Sequence, residues 1–330
     1  MRVLMIAPSF FGYEKAIAQE IRAQGHEVEL VDERPSNAPV ARAVVRVAPA
    51  ILGHRITAHF RELLRRAEHD PPDLVLVIKG EVVPEWFLTT LRSRSPRVRF
   101  VYYTFDSFAN SPRGAALLPL FDRAFSFDPD DARRTGVDHL PLFHRPEFHP
   151  GDEPRDLDVS FIGTLHGDRH AFANAVAAAV PPERRLLWFY SPAAWYFWLR
   201  KVFVRRYRGI PRADVRTTPL PIGAVAATMR RSKAVIDLQR PGQTGLTMRV
   251  FEVLASGAAL ITANAAIRDE PFYDPARVLI VPADPARIDV AEVAAFIAAQ
   301  PARGTSPAGF EDRSLAAWTS EVLAPALVGA

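Results

Sequence analysis

The sequence contains no cysteine among its 330 residues. This absence excludes disulfide bonds, thiolate metal sites and a cysteine nucleophile, and it fits a reducing compartment. Long apolar runs are also missing, because no stretch approaches the roughly 20 consecutive apolar residues of a membrane span. The N-terminal segment MRVLMIAPSFFGYEK has too short an apolar run for a signal peptide. We therefore expect a cytoplasmic protein.

The composition is that of a folded protein with an unevenly distributed charge. Hydrophobic residues make up 48% of the chain and charged residues 24%, and the length allows two domains of ordinary size. The net charge is only +4, but residues 184–216 contain nine basic residues and one acidic residue. This segment carries +8 and the rest of the chain −4, so the basic character belongs to one local surface.

The chain alternates between strand and helix patterns. RVLMIA at 2–7, a helical spacing of apolar residues and EVELV form a strand–helix–strand unit, which implies a parallel sheet. After a proline-rich linker the alternation restarts, so we predict an α/β fold with two Rossmann-like domains facing each other across a cleft. Ligands bind at the carboxyl ends of such strands. The predicted domains are residues 1–150, residues 151–310, and a terminal helix at 311–330 that packs back on the first domain.

The stretch GQTGLTMRVFEVLASGAALIT at 242–262 joins a loop of small residues to a helix start. Backbone N–H groups at a helix start attract anions, most often phosphate. Arg249 adds a cation for a diphosphate, and Glu252 adds a surface carboxylate that a ribose diol could bind. The loop residues of this candidate site are Thr244, Gly245 and Thr247. The alternative is an ordinary turn with a threonine cap and a solvated glutamate.

Three features of the first domain follow predicted strands. Asp106 ends the strand in YYTFDS and is a candidate general base, or else a turn-forming residue. Lys79 follows LVLVI and either reaches into the cleft as a cation or extends its amine to solvent at the strand end. Two such domains suit an enzyme that joins two substrates, one held by each domain. The loop after the first strand suits the acceptor substrate, with candidate residues Phe10, Phe11 and Gly12.

Two aspartates have the spacing of a metal-binding motif. Asp128 and Asp130 in FDPDD could hold a divalent cation on a diphosphate. The favoured interpretation is structural: Asp130 and Asp131 begin a helix and cap it. We therefore predict no metal site and no cofactor.

Two histidines stand near another candidate cation. His166 and His170 are four residues apart, as two metal ligands on a helix would be, but no third ligand stands nearby. We favour a loop beside the candidate phosphate site, with Arg169 as the stronger candidate.

The segment GLTMRVFEVLASGAALIT resembles the nucleotide-binding signature of GT-B glycosyltransferases, and more narrowly the CgeB-like (spore maturation protein) branch used in capsule and lipopolysaccharide synthesis. DVSFIGTLHGDRHAF, YYTFDS and FDRAFSFDPDD extend the resemblance to nearly the whole chain. It implies that Glu252 binds the ribose of a sugar nucleotide. The glycine-rich approach to the helix would contact the diphosphate and donor sugar, with Gly163 and Arg169 beside them. It implies no requirement for a metal.

One departure from the resembled family concerns the donor sugar. Many retaining members have two glutamates in the pattern Glu-x7-Glu, but Thr244 stands eight residues before Glu252. The donor sugar and the stereochemical outcome are therefore open. The implied function is transfer of a sugar from a nucleotide diphosphate to a glycan or lipid-linked acceptor in cell-envelope polysaccharide synthesis. The alternatives are a sugar-nucleotide-binding protein without turnover and a nucleic-acid-binding protein.

Aromatic and basic residues interleave at 184–209. This pattern suits a nucleic-acid surface, an element at a membrane interface, or a core helix with a solvated basic side. The membrane interpretation gains from the resemblance, because envelope glycans are often built on lipids. It predicts a peripheral position on the inner face of the cell membrane and no nucleic-acid partner. The expected membrane-facing residues are Trp195, Trp198, Arg200, Lys201, Arg205 and Arg206.

Overall fold

The computed structural model describes residues 1–35, 53–240 and 243–327. The chain divides into two compact units. Unit 1 comprises Met1–Leu142 and the C-terminal segment from Leu315, and unit 2 comprises Phe143–Ser314. Each unit contains a six-stranded sheet in which all paired strands are parallel. The predicted α/β class with two Rossmann-like units is confirmed.

Unit 1 is a doubly wound sheet with the strand order β2-β1-β3-β4-β5-β6. The inner strands are continuous apolar runs because helices cover both faces of a parallel sheet. All five residues of β3 are completely buried. The elements are β1 (Arg2–Ala7), α1 (Tyr13–Ala23), β2 (Glu27–Asp32), α2 (Gly53–His69), β3 (Leu74–Ile78), α3 (Glu85–Arg94), β4 (Arg99–Thr104), α4 (Pro112–Ala116), β5 (Arg123–Ser126), α5 (Pro129–Thr135) and β6 (Asp138–His139).

Unit 2 repeats the architecture with the strand order β12-β11-β10-β7-β8-β9. Its two central strands, β7 and β10, are adjacent, although 67 residues lie between the end of β7 and the start of β10 in the chain. The elements are β7 (Leu157–Thr164), α6 (Arg169–Ala177), β8 (Arg185–Tyr190), α7 (Ala194–Phe203), β9 (Val215–Arg216), α8 (Ile222–Arg231), β10 (Ser232–Asp237), α9 (Met248–Ala255), β11 (Ala259–Thr262), β12 (Val278–Ile280) and α10 (Val290–Ala298).

The C-terminal helix α11 (Leu315–Leu327) belongs to unit 1. Trp318 is 3% exposed and packs edge-on against the buried ring of Tyr103, with ring centres 4.7 Å apart. Arg123 pairs with Glu321 at 2.8 Å. Among the helices of the described residues, none combines the length and apolar character needed to span a bilayer.

A glycine sets the position of α9 against β11. Gly257 has φ +75°, and a Cβ on it would come within 2.7 Å of the backbone carbon of Gly304. Only glycine combines this left-handed conformation with so close a backbone approach. The Arg155 guanidinium donates a hydrogen bond to the Gly257 carbonyl oxygen at the C-terminal end of the helix, where a cation is favourable. The helix that carries Arg249 and Glu252 is therefore held firmly at its far end.

Candidate functional site

The predicted donor-side residues lie at the carboxyl edge of the unit 2 sheet. Strands β7, β10 and β11 all end there, because they are parallel neighbours. The connection that follows β10 leads into the first turn of α9. The residues at this edge are Gly163 in β7, Arg169 at the start of α6, Thr244, Gly245 and Thr247 before α9, and Arg249 and Glu252 within it.

Arg249 is held by a buried carboxylate. Asp237, the last residue of β10, is 0% exposed, and its Oδ1 lies 3.2 Å from Nη1 of Arg249. The second guanidinium nitrogen donates to the Ile162 carbonyl oxygen. A Cβ on Gly163 would come within 3.0 Å of that nitrogen. Glycine at 163 therefore leaves room for the Arg249 guanidinium, which lies 5.2 Å over the ring of Phe161.

The loop before α9 is pinned by side chains. Thr247 is the N-cap residue, but its hydroxyl donates to Oδ1 of Asp237 at 3.0 Å and makes no capping bond to the first turn. Asn264 is 4% exposed, and its Nδ2 donates to the carbonyl oxygen of Thr244 at 3.2 Å. Thus the start of α9 faces the end of β10 without a side-chain cap, which is a favourable place for an anion.

Asp237 and Asn264 are absent from the candidates predicted from the sequence. Each stands at or just after the end of a short apolar strand, in KAVID and ALITAN. Polar residues at such positions reach the carboxyl edge of a parallel sheet, and this signal could have identified both.

Arg169 caps the carboxyl end of β10. Its Nε and Nη2 donate to the Leu238 carbonyl oxygen at 3.1 and 2.9 Å. The pKa of Arg169 is lowered to about 10, first by burial and then by the nearby Arg249. A guanidinium keeps its charge at neutral pH even so, which means that two arginines stand close together at this edge with Asp237 as a shared counter-charge.

His166 is neutral at physiological pH because it is partly buried and lies near several cations. Burial is the first cause, and with four arginines it lowers the pKa of His166 to about 3. These are Arg169, Arg240, Arg249 and Arg200. These cations create a positive potential near the half-buried imidazole, and a bound anion would lower that potential. His170 does not join the cluster: its Nε2 lies 2.8 Å from Oδ2 of Asp214.

Glu252 is not on the surface. Its exposed fraction is 5%, and it lies on α9 among buried neighbours from Val250 to Ala255. The expectation of a surface carboxylate is therefore wrong. The helix is buried along most of its circumference, with Phe251 packed against Phe272 and Phe310, so the glutamate is buried with it. A carboxylate in this position is preorganised by packing, but an alanine substitution would also leave a cavity.

Unit 1 presents a chain of ion pairs at the carboxyl edge of its own sheet. Lys79 lies 3.1 Å from Oδ2 of Asp106 and 2.8 Å from Oε1 of Glu81, and Arg34 lies 2.6 Å from Oε2 of Glu81. All four side chains are less than 20% exposed. The edge thus brings together the two predicted catalytic residues, Lys79 and Asp106, with two that were not predicted.

The backbone at Lys79 is strained. Its φ is +74°, an uncommon conformation for a residue with a side chain, and Gly80 follows at +66°. The Lys79 carbonyl oxygen accepts a hydrogen bond from the Tyr102 hydroxyl at 2.8 Å, which helps to fix this turn. Strain of this kind concentrates at functional sites. The strained turn directs the amine to Asp106, and the side chain is only 13% exposed.

Glu33 is a buried carboxyl next to this chain. It is 0% exposed, and no described side chain donates a hydrogen bond to either of its oxygens. The pKa of Glu33 is raised to about 8, first by burial and then by the Glu81 carboxylate, and these two causes outweigh the opposing effects of Arg34, Lys79 and the Glu81 backbone. Burial also acts to raise the pKa of Glu81, but Lys79 and Arg34 outweigh it and keep that pKa below its ordinary value. The two carboxyls therefore differ in protonation at neutral pH.

We expect Glu33→Gln to stabilise the protein at pH 8 and to leave its stability near pH 4.5 almost unchanged. The folded state retains a proton that the unfolded chain releases above about pH 4.5. The wild-type free energy of unfolding should then fall as pH rises toward 8, by up to about 1.4 kcal/mol per pH unit. Denaturant unfolding at pH 5, 6, 7 and 8 measures this, with the exposed Glu292→Gln as the control. A difference between Glu33→Gln and wild type that does not grow with pH contradicts the assignment.

The predicted acceptor loop lies at the same edge of unit 1. Phe10 and Phe11 are 45% and 62% exposed, and Phe11 and Gly12 have φ values of +52° and +80°. The Phe10 ring stacks on Phe105 with centres 6.4 Å apart, which places the loop beside the residue preceding Asp106. Exposed aromatic rings next to a carboxylate are suited to hold a sugar or another hydroxyl-bearing ligand.

Asp128 has a structural role, as the favoured interpretation held, but the cap was assigned to the wrong residues. Asp128 itself is the N-cap of α5, and its Oδ1 accepts from the backbone N–H groups of Asp130 and Asp131 at 3.0 and 3.2 Å. Asp130 and Asp131 pair with arginines one turn later. Within the described part of the chain, no group of three or more potential ligands could hold a metal ion.

The basic aromatic segment does not form a core helix. Only Phe197 of α7 is buried, whereas Trp195 and Trp198 are 65% and 50% exposed. Arg205 and Arg206 are also exposed. Two residues expected to face a membrane turn inward instead, because Arg200 donates to the Tyr196 hydroxyl at 2.9 Å and Lys201 to the Ile210 carbonyl oxygen at 2.7 Å.

Comparisons with known proteins bear on the family and the fold of the chain. Residues 169–323 match the family model described as Glycosyl transferase-like. The sequence matches no curated protein significantly. In structure, 100% of the chain aligns with 100% of HepE of Anabaena in complex with UDP-glucose, at 13% identity and a TM-score of 0.62.

Two further solved structures are similar over their whole length. A glycosyltransferase of Rickettsia africae has 10% identity and a TM-score of 0.58, with 100% of this chain and 99% of that one covered. The UDP-GlcNAc 2-epimerase of Methanocaldococcus jannaschii, in complex with UDP-GlcNAc and UDP, has 9% identity and a TM-score of 0.55, with 100% of both covered. The likeness confirms the predicted GT-B fold. A fold does not by itself define the reaction.

Proposed function

We propose that the protein is a glycosyltransferase of the CgeB-like branch that moves a sugar from a nucleotide-diphosphate donor to a glycan or lipid-linked acceptor in cell-envelope polysaccharide synthesis. The observation that carries the proposal is the pair of arginines held at the carboxyl edge of the unit 2 sheet, Arg249 against Asp237 and Arg169 against the Leu238 carbonyl oxygen. A diphosphate is the anion that suits such a pair, because both cations can share its charge. The family match, which begins at Arg169 and includes all of α9, supports it.

The donor side would use the pinned loop and α9. The start of α9 and Arg249 would bind the diphosphate, and Arg169 would add positive potential while it holds the end of β10. Gly163 would act by leaving room for the Arg249 guanidinium. Glu252 would accept hydrogen bonds from the ribose diol. The neutral His166 imidazole could bind a sugar hydroxyl or phosphate without adding charge.

The acceptor side would use the ion-pair chain of unit 1. If the reaction inverts configuration, Asp106 would take the proton from the acceptor hydroxyl as it attacks the donor sugar. Lys79 would orient this carboxylate, because its amine lies 3.1 Å from Oδ2 of Asp106. The exposed rings of Phe10 and Phe11, together with Gly12, would hold the acceptor. We place the reaction in the cytoplasm.

An alternative function is binding of a sugar nucleotide without turnover. Thr244 stands where many retaining relatives have a sugar-contacting glutamate. A protein that lacks this carboxylate could keep the nucleotide site and lose the reaction. Hydrolysis of the donor in the absence of acceptor distinguishes the two, because a slow hydrolytic reaction requires the catalytic arrangement and a binding protein would lack it.

A thermal-shift panel tests the proposal. UDP-, GDP-, TDP- and CMP-linked sugars are added separately, since a ligand that binds only the folded state raises the melting temperature. At 100 times its Kd a ligand stabilises by about 2.7 kcal/mol, which is several degrees for a domain of this size. We expect at least one nucleotide-diphosphate sugar to do so. No shift with any of them up to millimolar concentration would overturn the proposed function.

We expect transfer to proceed without a divalent cation. Arginines and a helix start can neutralise a leaving diphosphate as a metal would. Activity with the donor selected by the panel should change less than about twofold in excess EDTA, which corresponds to less than about 0.4 kcal/mol in the activation free energy. Loss of activity that Mg²⁺ or Mn²⁺ restores would contradict this prediction.

A further inference from the structure

Helix α7 presents an apolar face to solvent. Eight large hydrophobic side chains are exposed among the described residues, and five of them lie on this one helix. Their spacing, three and four residues apart, puts them on a single face. They are Trp195 (65% exposed), Trp198 (50%), Leu199 (47%), Val202 (61%) and Phe203 (75%). A contiguous patch of this kind marks an interaction surface.

The helix is anchored from its other side, so the exposed face is not a loose segment. Phe197 is 1% exposed and packs in the core of unit 2. The Lys201 amine donates to the Ile210 carbonyl oxygen at 2.7 Å, and the Arg200 guanidinium lies 4.6 Å over the ring of Tyr207. Both cations thereby fasten α7 to its own unit, and the apolar face is held outward.

Positive charge borders this face. Residues 194–213 contain six basic residues and no acidic one. Arg205, Arg206 and Arg208 follow directly after the helix and are exposed. An apolar helix face with tryptophans, bordered by arginines, complements the boundary between acyl chains and anionic headgroups.

We propose that the α7 face and the adjoining arginines form a binding surface for an anionic phospholipid bilayer. Single-stranded nucleic acid is a poorer occupant, because the aliphatic side chains of Leu199 and Val202 offer its bases no ring to stack on and its phosphates no charge. A second copy is poorer as well, since an isologous contact would bring two sets of arginines together.

The surface adjoins the candidate donor site. The Tyr207 hydroxyl donates to the Leu165 carbonyl oxygen at 3.1 Å, and Arg206 lies 3.4 Å from Asp168. Both partners lie in the loop that leads into Arg169. A bilayer on α7 would then lie at the edge of unit 2 where the nucleotide is expected, and this consequence for a lipid-linked acceptor rests on the proposed function. Membrane binding itself does not depend on it.

Vesicle co-sedimentation of the full chain tests the surface. Vesicles of phosphatidylcholine with 30% phosphatidylglycerol, and of phosphatidylcholine alone, are compared at about 0.1 M and 1 M salt, where the Debye length falls from about 10 to 3 Å. We expect binding to the anionic vesicles that weakens in high salt. Replacement of Arg205, Arg206 and Arg208 by Gln should weaken it about a hundredfold, at about 1 kcal/mol for each cation. The charge-matched control replaces the exposed Arg61, Arg97 and Arg287 by Gln and should bind like wild type.

Tryptophan fluorescence tests the apolar half of the surface. Brominated acyl chains should quench Trp195 and Trp198 in the wild type, and quenching should be largely lost in W195F/W198F while binding persists. Val202→Gln with Phe203→Gln should weaken binding by roughly a hundredfold, because each large apolar side chain contributes about 1.5 kcal/mol on insertion. The melting temperature should stay within a few degrees, because these side chains touch little of the protein.

Three outcomes overturn the proposal. Wild-type protein that ignores anionic vesicles at low salt excludes a bilayer as the occupant. Binding that the control variant loses as fully as the α7 variants reflects net charge alone. Concentration-dependent self-association abolished by V202Q/F203Q, without vesicle binding, assigns the face to a second copy. The vesicle assay contains no nucleotide, so its failure leaves the nucleotide panel, and with it the proposed function, to be judged separately.

Discussion

Arg249→Met should lower the free energy of unfolding by about 3–5 kcal/mol and also weaken nucleoside diphosphate binding. The substitution leaves Asp237, which is 0% exposed, as a buried carboxylate without its cation. Stability is measured by denaturant unfolding. Binding is measured by calorimetry with the nucleoside diphosphate that the panel selects and with its bare nucleoside.

The double variant Asp237→Asn with Arg249→Met separates the two effects. It removes the unpaired charge, so most of the lost stability should return, but the cation for the diphosphate is still missing. Diphosphate affinity should remain roughly ten- to a hundredfold below wild type, since a charged hydrogen bond contributes about 1.5–3 kcal/mol. Equal losses for the diphosphate and the nucleoside, or full affinity in the double variant, would contradict a phosphate role for Arg249.

Glu252→Gln should abolish most of the stabilisation by nucleotide and change the fold little. Glutamine nearly matches the size of the buried glutamate, whereas alanine would leave a cavity beneath α9. Two charged hydrogen bonds to the ribose diol would become neutral ones. The expected loss is about 3 kcal/mol, or somewhat more than a hundredfold in affinity. Titration with the ribonucleoside diphosphate measures it, with the exposed Glu292→Gln as the matched control.

A 2′-deoxynucleoside diphosphate identifies the group that Glu252 binds. Wild-type protein should bind it more weakly than the ribonucleotide, and Glu252→Gln should lose less of that weaker affinity. If the variant weakens both nucleotides by the same factor, the glutamate acts through packing of α9 and the ribose assignment is abandoned.

Local pattern was sufficient for the fold and for the region of the candidate site. Continuous apolar runs such as LVLVI and KAVID, separated by helical spacing, predict buried parallel strands, since only helix-covered sheets bury both faces of a strand. Residues that directly follow such strands reach the carboxyl edge. This rule puts Lys79 and Asp106 at the carboxyl edge of the unit 1 sheet, where the structure has them.

The burial and the contacts of individual charged side chains could not be predicted from the same pattern. Glu252 appeared as a surface residue because charge usually indicates exposure, yet α9 packs along most of its circumference and buries it. Arg200 and Lys201 looked like part of a basic surface, but the Tyr196 hydroxyl, the Ile210 carbonyl oxygen and the Tyr207 ring lie close to them in the folded chain and turn them inward.

The sequence by itself determined the alternation of strands and helices, the two Rossmann-like units and the local concentration of basic charge, because these follow from the order and spacing of neighbouring residues. Only the tertiary structure decided which charges meet. Asp237 and Arg249, or Glu33 and Glu81, lie on different elements, and their contacts exist only where parallel strands end side by side. Burial at these strand ends shifts pKa values and strengthens each ion pair, because charges removed from water interact more strongly with neighbouring charges.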